Sequence, residues 1–493
     1  MPSDKIITEE DPRAVALEFA KKIGANQKIN DPSGKTRRRE SKNYKTYNKT
    51  DIETWLKSPT TSEKELRDAS IFLYQTNPRY RSLLSYFANL PCWTHTITAV
   101  NYNPTKGKKE NMKKQYMKTC NIIESMKVEK TMRDATLVAL REGVYYGVIW
   151  GGDGSNFIMQ KLNPDHCTIL SVSDGGVFDF AYDMGSLQED KIDGYFPPEF
   201  KDMWDAYAKT GERYQKVPPE ISFCLKADPT VPEYSIPPFA SVLPALYYIK
   251  AVEELSVTSS ELQNYKLLAA ELPLDENGVP TMTYETAMEY YDHISNNLAE
   301  MIGLCITPFK IKDFTFDKSS ESSQVNSVSR ATENFFAAAG TSAQLHGITN
   351  DTSSVTKLAI KVDEAYSFVY VEQCEQIINR FLKLMSGTQK FKIRFLPVTQ
   401  FNKPEMIEYY KGALNYGIGK LEYIACVGIP QYDVMSKAFI ENEVLGIDGL
   451  FEPFKTASTR SAEEASSGRP AETDSEIEDA GEKTRDSGAN ENR

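Results

Sequence analysis

A repeating pattern of apolar residues spaced three or four apart marks the centre of this sequence. Residues at that spacing lie on one side of a helix, so the pattern predicts a helix over 319–339. A serine-rich run, 319–323, can supply its N-cap, and Gly340 can end it in a left-handed conformation. The members of the pattern are Val325, Val328, Thr332, Phe335 and Ala339.

A longer pattern of the same kind begins at Val355 and predicts a second helix, which Gly387 can end. The members of this pattern are Val355, Leu358, Val362, Ala365, Val369, Gln373, Ile377, Phe381 and Met385.

The segment between these helices, 341–354, is polar and almost uncharged. Loops carry binding and catalytic residues more often than helices do, which favours a functional role. The alternative is a plain polar connection between two helices. The segment alone leaves both interpretations open.

A third helical pattern runs from Pro238 to Leu272, with Pro244 as its one disturbance near the start. After it, the sequence pattern predicts a helix over 284–302 and a strand over 309–316. The helices over 238–272 and 319–339 are therefore separated by an excursion that allows them to lie antiparallel.

The first half of the chain mixes helix and strand patterns. Ser62 and Glu65 have capping-box spacing, and the helix that they open should end before Pro78. Further helices are predicted over 78–91, 111–142 and from 197 to 211, and an extended segment over 214–236. Short strands are predicted at 144–150, 157–162, 167–172, 177–182 and 390–395, the first two joined as a hairpin.

The termini differ from the middle of the chain. Residues 1–50 are polar and contain a basic run over 35–49, which is either a solvated tail or a contact for an acidic partner or a nucleic-acid backbone. Residues 456–493 have almost no apolar side chains and are predicted to be disordered. After Pro404, short helices separated by glycines are predicted to about residue 450.

Composition narrows the classes of function. The formal net charge of −12 argues against a general nucleic-acid coat, which needs clustered Lys and Arg. The seven cysteines contain no Cys-x-x-Cys pair, which suits a reducing compartment and gives no zinc signature. We expect neither a signal peptide nor a transmembrane helix, because the chain has no apolar run of the required kind.

Motifs for catalysis are missing from the sequence. There is no Gly-x-Ser-x-Gly, His-Glu-x-x-His or phosphate-loop motif, and the four histidines are isolated. Catalytic groups can still assemble across a fold, so an enzyme is not excluded. We expect no catalytic residues, no metal and no cofactor, and we predict that the protein is not an enzyme.

The order of these parts resembles the portal, or head-to-tail connector, proteins of tailed bacteriophages. The stretches that carry the likeness are Leu140–Gly147 with Lys161–Asp165, Pro237-Pro238-Phe239 before the long helix, and Ala339–Ser342 with the polar run after it. The likeness extends over residues 60–455 and is one of order and pattern, with no diagnostic motif.

The resemblance implies a mainly helical α+β fold with named parts. These are a basic arm (1–50), a wing (51–236), stem helix 1 (237–272), a clip (273–318), stem helix 2 (319–339), a tunnel loop (340–354), a wing return (355–403), crown helices (404–455) and an acidic tail (456–493). The basic arm and the tail have no place in the family pattern.

The resemblance also implies a function and partners. Copies of the chain would form a ring, a homododecamer, at one capsid vertex of the virion, after assembly in the host cytoplasm. Double-stranded DNA would pass through its channel during genome packaging and ejection. The expected protein partners are the large terminase subunit, a head-tail adaptor, and the major capsid and scaffolding proteins, with no membrane.

The tunnel loop is the predicted site of DNA passage. A wall past which DNA moves should not grip phosphates, and a near-neutral loop suits that requirement. In or near this loop, His346 and Lys357 are the candidates for positive charge. The candidate residues are Gly340, Thr341, Ser342, Gln344, His346, Asn350, Thr352, Ser353 and Lys357.

Two alternatives remain at this point. One is a different helical structural or adaptor protein, and the other is an enzyme that acts on nucleic acid through an unrecognised site. A closed ring with a pore separates the portal from both.

Overall fold

The chain divides into two compact units, Met1–Tyr432 and Asp433–Arg493. The computed structural model describes residues 47–100, 109–151, 156–189, 192–264, 266–271, 281–296, 302–307, 321–347, 353–386 and 390–446. The tail over 456–493 and most of the basic arm lie outside the described residues.

Helices dominate the described residues, and many of them begin or end where the sequence predicts. The Asn77 side chain caps the helix that starts at Pro78, and Gly143 and Gly211 end two others with φ of 84° and 76°. The helices are α1 (Lys49–Lys57), α2 (Glu63–Thr76), α3 (Pro78–Asn89), α4 (Lys109–Met126), α5 (Val128–Glu142), α6 (Glu199–Thr210), α7 (Leu243–Asn264), α8 (Tyr284–Ser295), α9 (Glu321–Ala338), α10 (Ser353–Ser386), α11 (Lys403–Leu414), α12 (Lys420–Val427) and α13 (Gln431–Ala438).

The described strands form four small sheets. Two sheets have three strands, in the orders β3-β2-β7 and β4-β5-β6, and β1 pairs with β10; all of these pairs are antiparallel. The pair β8-β9 is parallel, with α8 between its strands in sequence. The strands are β1 (His95–Ala99), β2 (Val144–Gly151), β3 (Phe157–Lys161), β4 (Cys167–Val172), β5 (Phe178–Asp183), β6 (Tyr214–Lys216), β7 (Ser222–Lys226), β8 (Lys266–Glu271), β9 (Ile302–Thr307) and β10 (Phe391–Phe395).

Strand β2 separates two hydrophobic cores. Because successive strand side chains point to opposite faces, Tyr145 and Ile149 enter one core while Tyr146 and Val148 enter the other. The first core is shared with helices α2 to α5, α7, α9 and α10. The second lies over β4, β5 and α6.

A buried ionic cluster attaches the sheet β4-β5-β6 to α10. Asp179 on β5 accepts hydrogen bonds from Ser173 and Lys216 at 2.7 and 2.9 Å, and Arg380 on α10 lies 2.8 Å from its other oxygen. Burial alone would raise the pKa of Asp179, but these donors and the Arg380 charge hold it below its usual value. The carboxylate therefore stays ionised and paired at neutral pH.

The fold class predicted from sequence, mainly helical α+β, is confirmed. The hairpin of β2 and β3 and the alternating burial of β10 are also as predicted. The assignment of wing, stem, clip, tunnel loop and crown stays a prediction.

Several predicted elements were wrong in their bounds. The helix over 111–142 is two helices, because Lys127 adopts φ 45° and breaks the hydrogen-bond ladder between α4 and α5. The helix over 238–272 ends at Asn264, and 266–271 pairs with β9 as a strand. Ser62 occupies the N-cap of α2 without a side-chain hydrogen bond, so the capping box does not form.

Several strands were missed or misplaced, among them β1, β7 and β9. The helix over 284–302 ends at Ser295, and Ile302 begins β9; the strand predicted at 309–316 lies outside the described residues. Strand β7 is fully buried but was assigned only as an extended segment, because proline-rich sequence on both sides hid it.

Candidate functional site

The segment after α9 begins as a compact turn. Helix α9 ends at Ala338, and Gly340 has φ 80°, a conformation that costs glycine little and so ends the helix as predicted. A short 3-10 turn, Ala343–His346, follows, with Ser342 at its N-cap. Gly347 closes the turn with φ 76°. Residues 348–352, which include the candidates Asn350 and Thr352, lie outside the described residues.

A buried carboxylate on α10 holds the start of this segment. Thr341 is buried, and its hydroxyl donates to Asp363 Oδ2 at 2.8 Å. The hydroxyl of Tyr86 on α3 donates to the same oxygen at 2.9 Å. Burial raises the pKa of Asp363, while these two hydrogen bonds act in the opposite direction. Asp363 therefore joins α3, α10 and the turn at one point.

His346 is held by aromatic contacts. Its ring stacks on Phe336 of α9, with centroids 3.9 Å apart and an interplanar angle of 12°, and meets Tyr86 edge-on at 5.4 Å. Its Nδ1 is hydrogen-bonded to the Ser82 hydroxyl at 3.2 Å. Its Nε2 is buried and has no hydrogen-bond partner among the described residues.

Burial decides the charge state of His346. Desolvation lowers the pKa of the imidazole to about 4, from an ordinary value of 6.5. The ring is therefore neutral at pH 7. Of the two candidates for positive charge, His346 supplies none at that pH, and Lys357, exposed on the first turns of α10, remains.

The remaining candidates lie at the start of α10. The Thr356 hydroxyl donates to the Gln344 side chain, which ties the turn to this helix. Ser353 is the first residue of α10. The structure thus brings Thr341, Gln344 and His346 together against α3, α9 and α10, while Lys357 stands apart in solvent.

The predicted picture of a soft loop therefore needs correction for its first half. Residues 341–347 are anchored by specific polar and aromatic contacts. The sequence did not indicate the partners Tyr86, Phe336 and Asp363. The one sequence feature that could have indicated this contact is Asp363, a charged residue in the middle of a helix with many apolar positions.

Helix α10 presents a second feature, an apolar side that the described residues leave uncovered. Leu358 and Val362 are each 66% exposed, and Val369 and Ala365 are exposed with them. The opposite side of this half of the helix is buried although it carries Asp363, Glu364 and Ser367. We call Leu358, Val362, Ala365 and Val369 the α10 stripe.

The sequence pattern predicted the helix, and its apolar row is exposed in the first half and buried in the second. A helix turns about 100° per residue, so each four-residue step moves about 40° around it. The row that starts at Leu358 consequently reaches the opposite side by Ile377 and Phe381, which are buried. Residues of one continuous sequence pattern therefore lie on two different sides of the helix, one exposed and one buried.

Helix α7 shows the same behaviour. Leu246 and Ile249 are buried, whereas Leu255 and Val257 are 68% and 58% exposed. Helix α7 packs against α9, and its first half enters the core. Its later turns, up to Thr258, therefore also offer apolar side chains to solvent.

The described residues offer no cluster of metal ligands. No group of three His, Cys, Asp or Glu side chains within them could hold a metal ion. Six cysteines there are free thiols, and burial raises the pKa of Cys120, Cys224 and Cys374 among others. No described helix combines the length and apolarity of a membrane span.

Comparison with solved structures gave matches that include a remote likeness. No family model and no curated protein matches the chain. Among solved structures, one described as the virion of a native gene transfer agent (GTA) particle contains a chain with 13% identity and a TM-score of 0.41; the match covers 75% of this chain and 94% of that chain. At this identity and TM-score no function is carried from one chain to the other.

The burial of His346 predicts a dependence of stability on pH. Above about pH 6.5 the imidazole is neutral in both the folded and the unfolded chain, and its packing contributes fully to stability. As the pH falls from about 6.5 towards 4, the unfolded chain binds a proton that the folded chain resists, so stability decreases. The variant His346→Phe keeps a stacked ring and should lose this component of the decrease.

The measurement is the thermal unfolding midpoint at several pH values between 4 and 7.5. The exposed His293 provides a control, because His293→Gln should retain the wild-type pH dependence. Identical pH profiles for His346→Phe and wild type would show that the imidazole is not held neutral.

Proposed function

We propose that this protein is a portal protein: a ring of identical subunits at a capsid vertex that forms the channel for packaging and ejecting double-stranded DNA. The observation that carries the proposal is the α10 stripe. A folded chain with two well-packed cores leaves a row of aliphatic side chains in solvent along one helix. Rows of this kind mark surfaces that are covered by a partner.

A second copy of the same chain is the partner that this proposal requires. Burial of a Leu or Val side chain contributes about 1.5–3 kcal/mol, so the stripe alone supplies several kcal/mol per contact. The exposed apolar residues of α7, Leu255 and Val257, offer a second apolar surface on another helix. Two different apolar surfaces permit head-to-tail contacts, which form a ring when the rotation between neighbouring subunits closes.

The order of elements supports the same proposal. Helices α7 and α9 pack together although the chain between them makes an excursion with the parallel pair β8-β9 and helix α8. This order agrees with the stem, clip and stem order that the sequence resemblance implies. The anchored turn and α10 then follow α9 directly.

The charge of the turn suits a wall past which DNA moves. In residues 341–347 there is no Asp, Glu, Lys or Arg, and His346 is neutral at pH 7. A surface without cations forms no ion pairs with phosphates and so opposes movement little. In this proposal the motor and the tail connector, a large terminase subunit and a head-tail adaptor, dock on the ring, and capsid and scaffolding proteins surround it.

Assembly through the α10 stripe gives the first test of the function. The variant Leu358→Glu/Val362→Glu places two charges where a neighbouring subunit should bury aliphatic groups. We expect the purified variant to remain folded and monomeric, because both positions are solvent-exposed within one chain. Sedimentation velocity of wild type and variant measures the outcome.

A matched control lies on another helix. Gln75 and Thr76 at the end of α2 are exposed, so Gln75→Glu/Thr76→Glu adds the same two negative charges away from the stripe and should leave the assembly intact. If the stripe variant assembles as the wild type does, the stripe is not the subunit contact. If the wild type itself stays monomeric at all concentrations, the ring proposal fails.

The role of the loop gives the second test. Deletion of residues 342–352 should impair DNA packaging or retention and leave ring formation intact. A milder variant replaces only 348–352 with glycine and serine, which preserves the contacts of Thr341, Gln344 and His346 that anchor the turn. Packaging is measured as nuclease-protected DNA in assembled heads; normal packaging by both variants would contradict the role of the loop.

A further inference from the structure

One surface of the protein is strongly basic although the whole chain is acidic. Helix α4 carries Lys109, Lys113, Lys114 and Lys118 in its first ten residues, with Glu110 as the one acid among them. All four ammonium groups belong to exposed residues. The formal charge of this segment is +3, in a chain with a net charge of −12. We call these four residues the lysine surface.

The four lysines form no ion pair among the residues that the structure describes. Among the described residues, no carboxylate lies within 4.0 Å of any of them. Lys109 and Lys113 stand four residues apart, as do Lys114 and Lys118, and like charges at that spacing destabilise a helix. Among the described residues, no ion pair offsets this repulsion.

The other side of α4 is fixed in the fold. Cys120, Ile123 and Met126 are buried, and the Tyr116 hydroxyl donates to Gln431 at 3.0 Å. Because its apolar side is already occupied, α4 cannot insert into a lipid surface as an amphipathic helix does. The lysines are therefore presented outward on a fixed scaffold.

The side chains of the lysine surface indicate which class of partner it can bind. A stable protein interface needs an apolar centre, and none of the large exposed hydrophobic side chains of the described residues lies on α4. Lysine acts as a mobile point charge, without the planar fork with which arginine reads a base edge. A polyanion with closely spaced charges is the ligand that such a surface attracts.

We propose that the lysine surface binds the phosphate backbone of double-stranded DNA without sequence preference. From Lys109 to Lys118 the helix rises about 13 Å, which matches about four base pairs of B-DNA. The acidic remainder of the chain does not prevent this contact, because salt screens charges beyond about 8 Å at physiological ionic strength. The surface lies on α4, whereas the neutral turn contacts α3, α9 and α10. This division rests on the proposed portal function, in which DNA is held at the first place and passes the second.

The test is the salt dependence of DNA binding. Each phosphate neutralised by a lysine contributes about −0.9 to the slope of log affinity against log salt, so four contacts give about −3.6 per site. Affinity for a short fluorescent duplex should then fall about 100-fold between about 50 and 200 mM salt. In the variant with Lys109, Lys113, Lys114 and Lys118 all changed to Gln, the slope should approach zero. Fluorescence anisotropy of the full-length protein measures both.

The control removes the same charge elsewhere. Lys57, Lys201, Lys209 and Lys420 are exposed, and changing these four to Gln should preserve most of the DNA affinity and slope. Sedimentation velocity confirms that both variants assemble as the wild type does, which separates loss of DNA binding from loss of the ring. Equal loss of affinity in the two variants would overturn the proposal. Loss of polyglutamate binding with unchanged DNA binding would also overturn it and assign the surface to an acidic protein.

Discussion

The rest of the structure depends on the burial of the second half of α10. Tyr370, Cys374, Ile377 and Phe381 enter the main core, and polar side chains of the same helix join three of the four described sheets to it. Gln373 bonds the backbone of Lys226 on β7 at 3.1 and 3.3 Å, Asn379 bonds that of Ile393 on β10 at 2.9 and 3.0 Å, and Arg380 pairs with Asp179 on β5. Because an α-helix of this length is stiff, these contacts also fix the direction of its first half. The α10 stripe is therefore presented to solvent as a consequence of packing elsewhere.

This arrangement explains how an anchored turn and a neutral surface arise together. Asp363 and Glu364 occupy the buried side of α10 beside the turn, where hydroxyl groups of Tyr86, Thr341 and Thr399 satisfy them. Buried carboxylates need such donors, since an unpaired one would cost several kcal/mol. His346 adds an uncharged ring to the same cluster. Local polarity thus serves packing, and the lysine surface lies on a different helix, α4.

The sequence allowed much of the fold to be predicted and little of the site. Helix ends at Gly143, Gly211 and Gly340 were recoverable because a left-handed C-cap has a local signal, and strand β10 because its alternation is strict. The break between α4 and α5 could not be predicted, because nothing marks Lys127, inside one continuous helical pattern, as a residue with φ 45°. The contact of His346 with Phe336 and Tyr86 joins residues far apart in sequence, and only the tertiary fold shows it. The apolar row of α10 was recognised from its spacing. The spacing did not show that the row passes from the exposed side of the helix to the buried side.

The central claim is that this chain assembles into a closed ring through surfaces that one subunit leaves exposed. Negative-stain electron microscopy of the purified full-length protein tests it most directly. The account predicts end-on views of rings with a central hole, and class averages with a constant number of subunits. Compact dimers or monomers without a pore, at concentrations where the α10 stripe should be occupied, would contradict it.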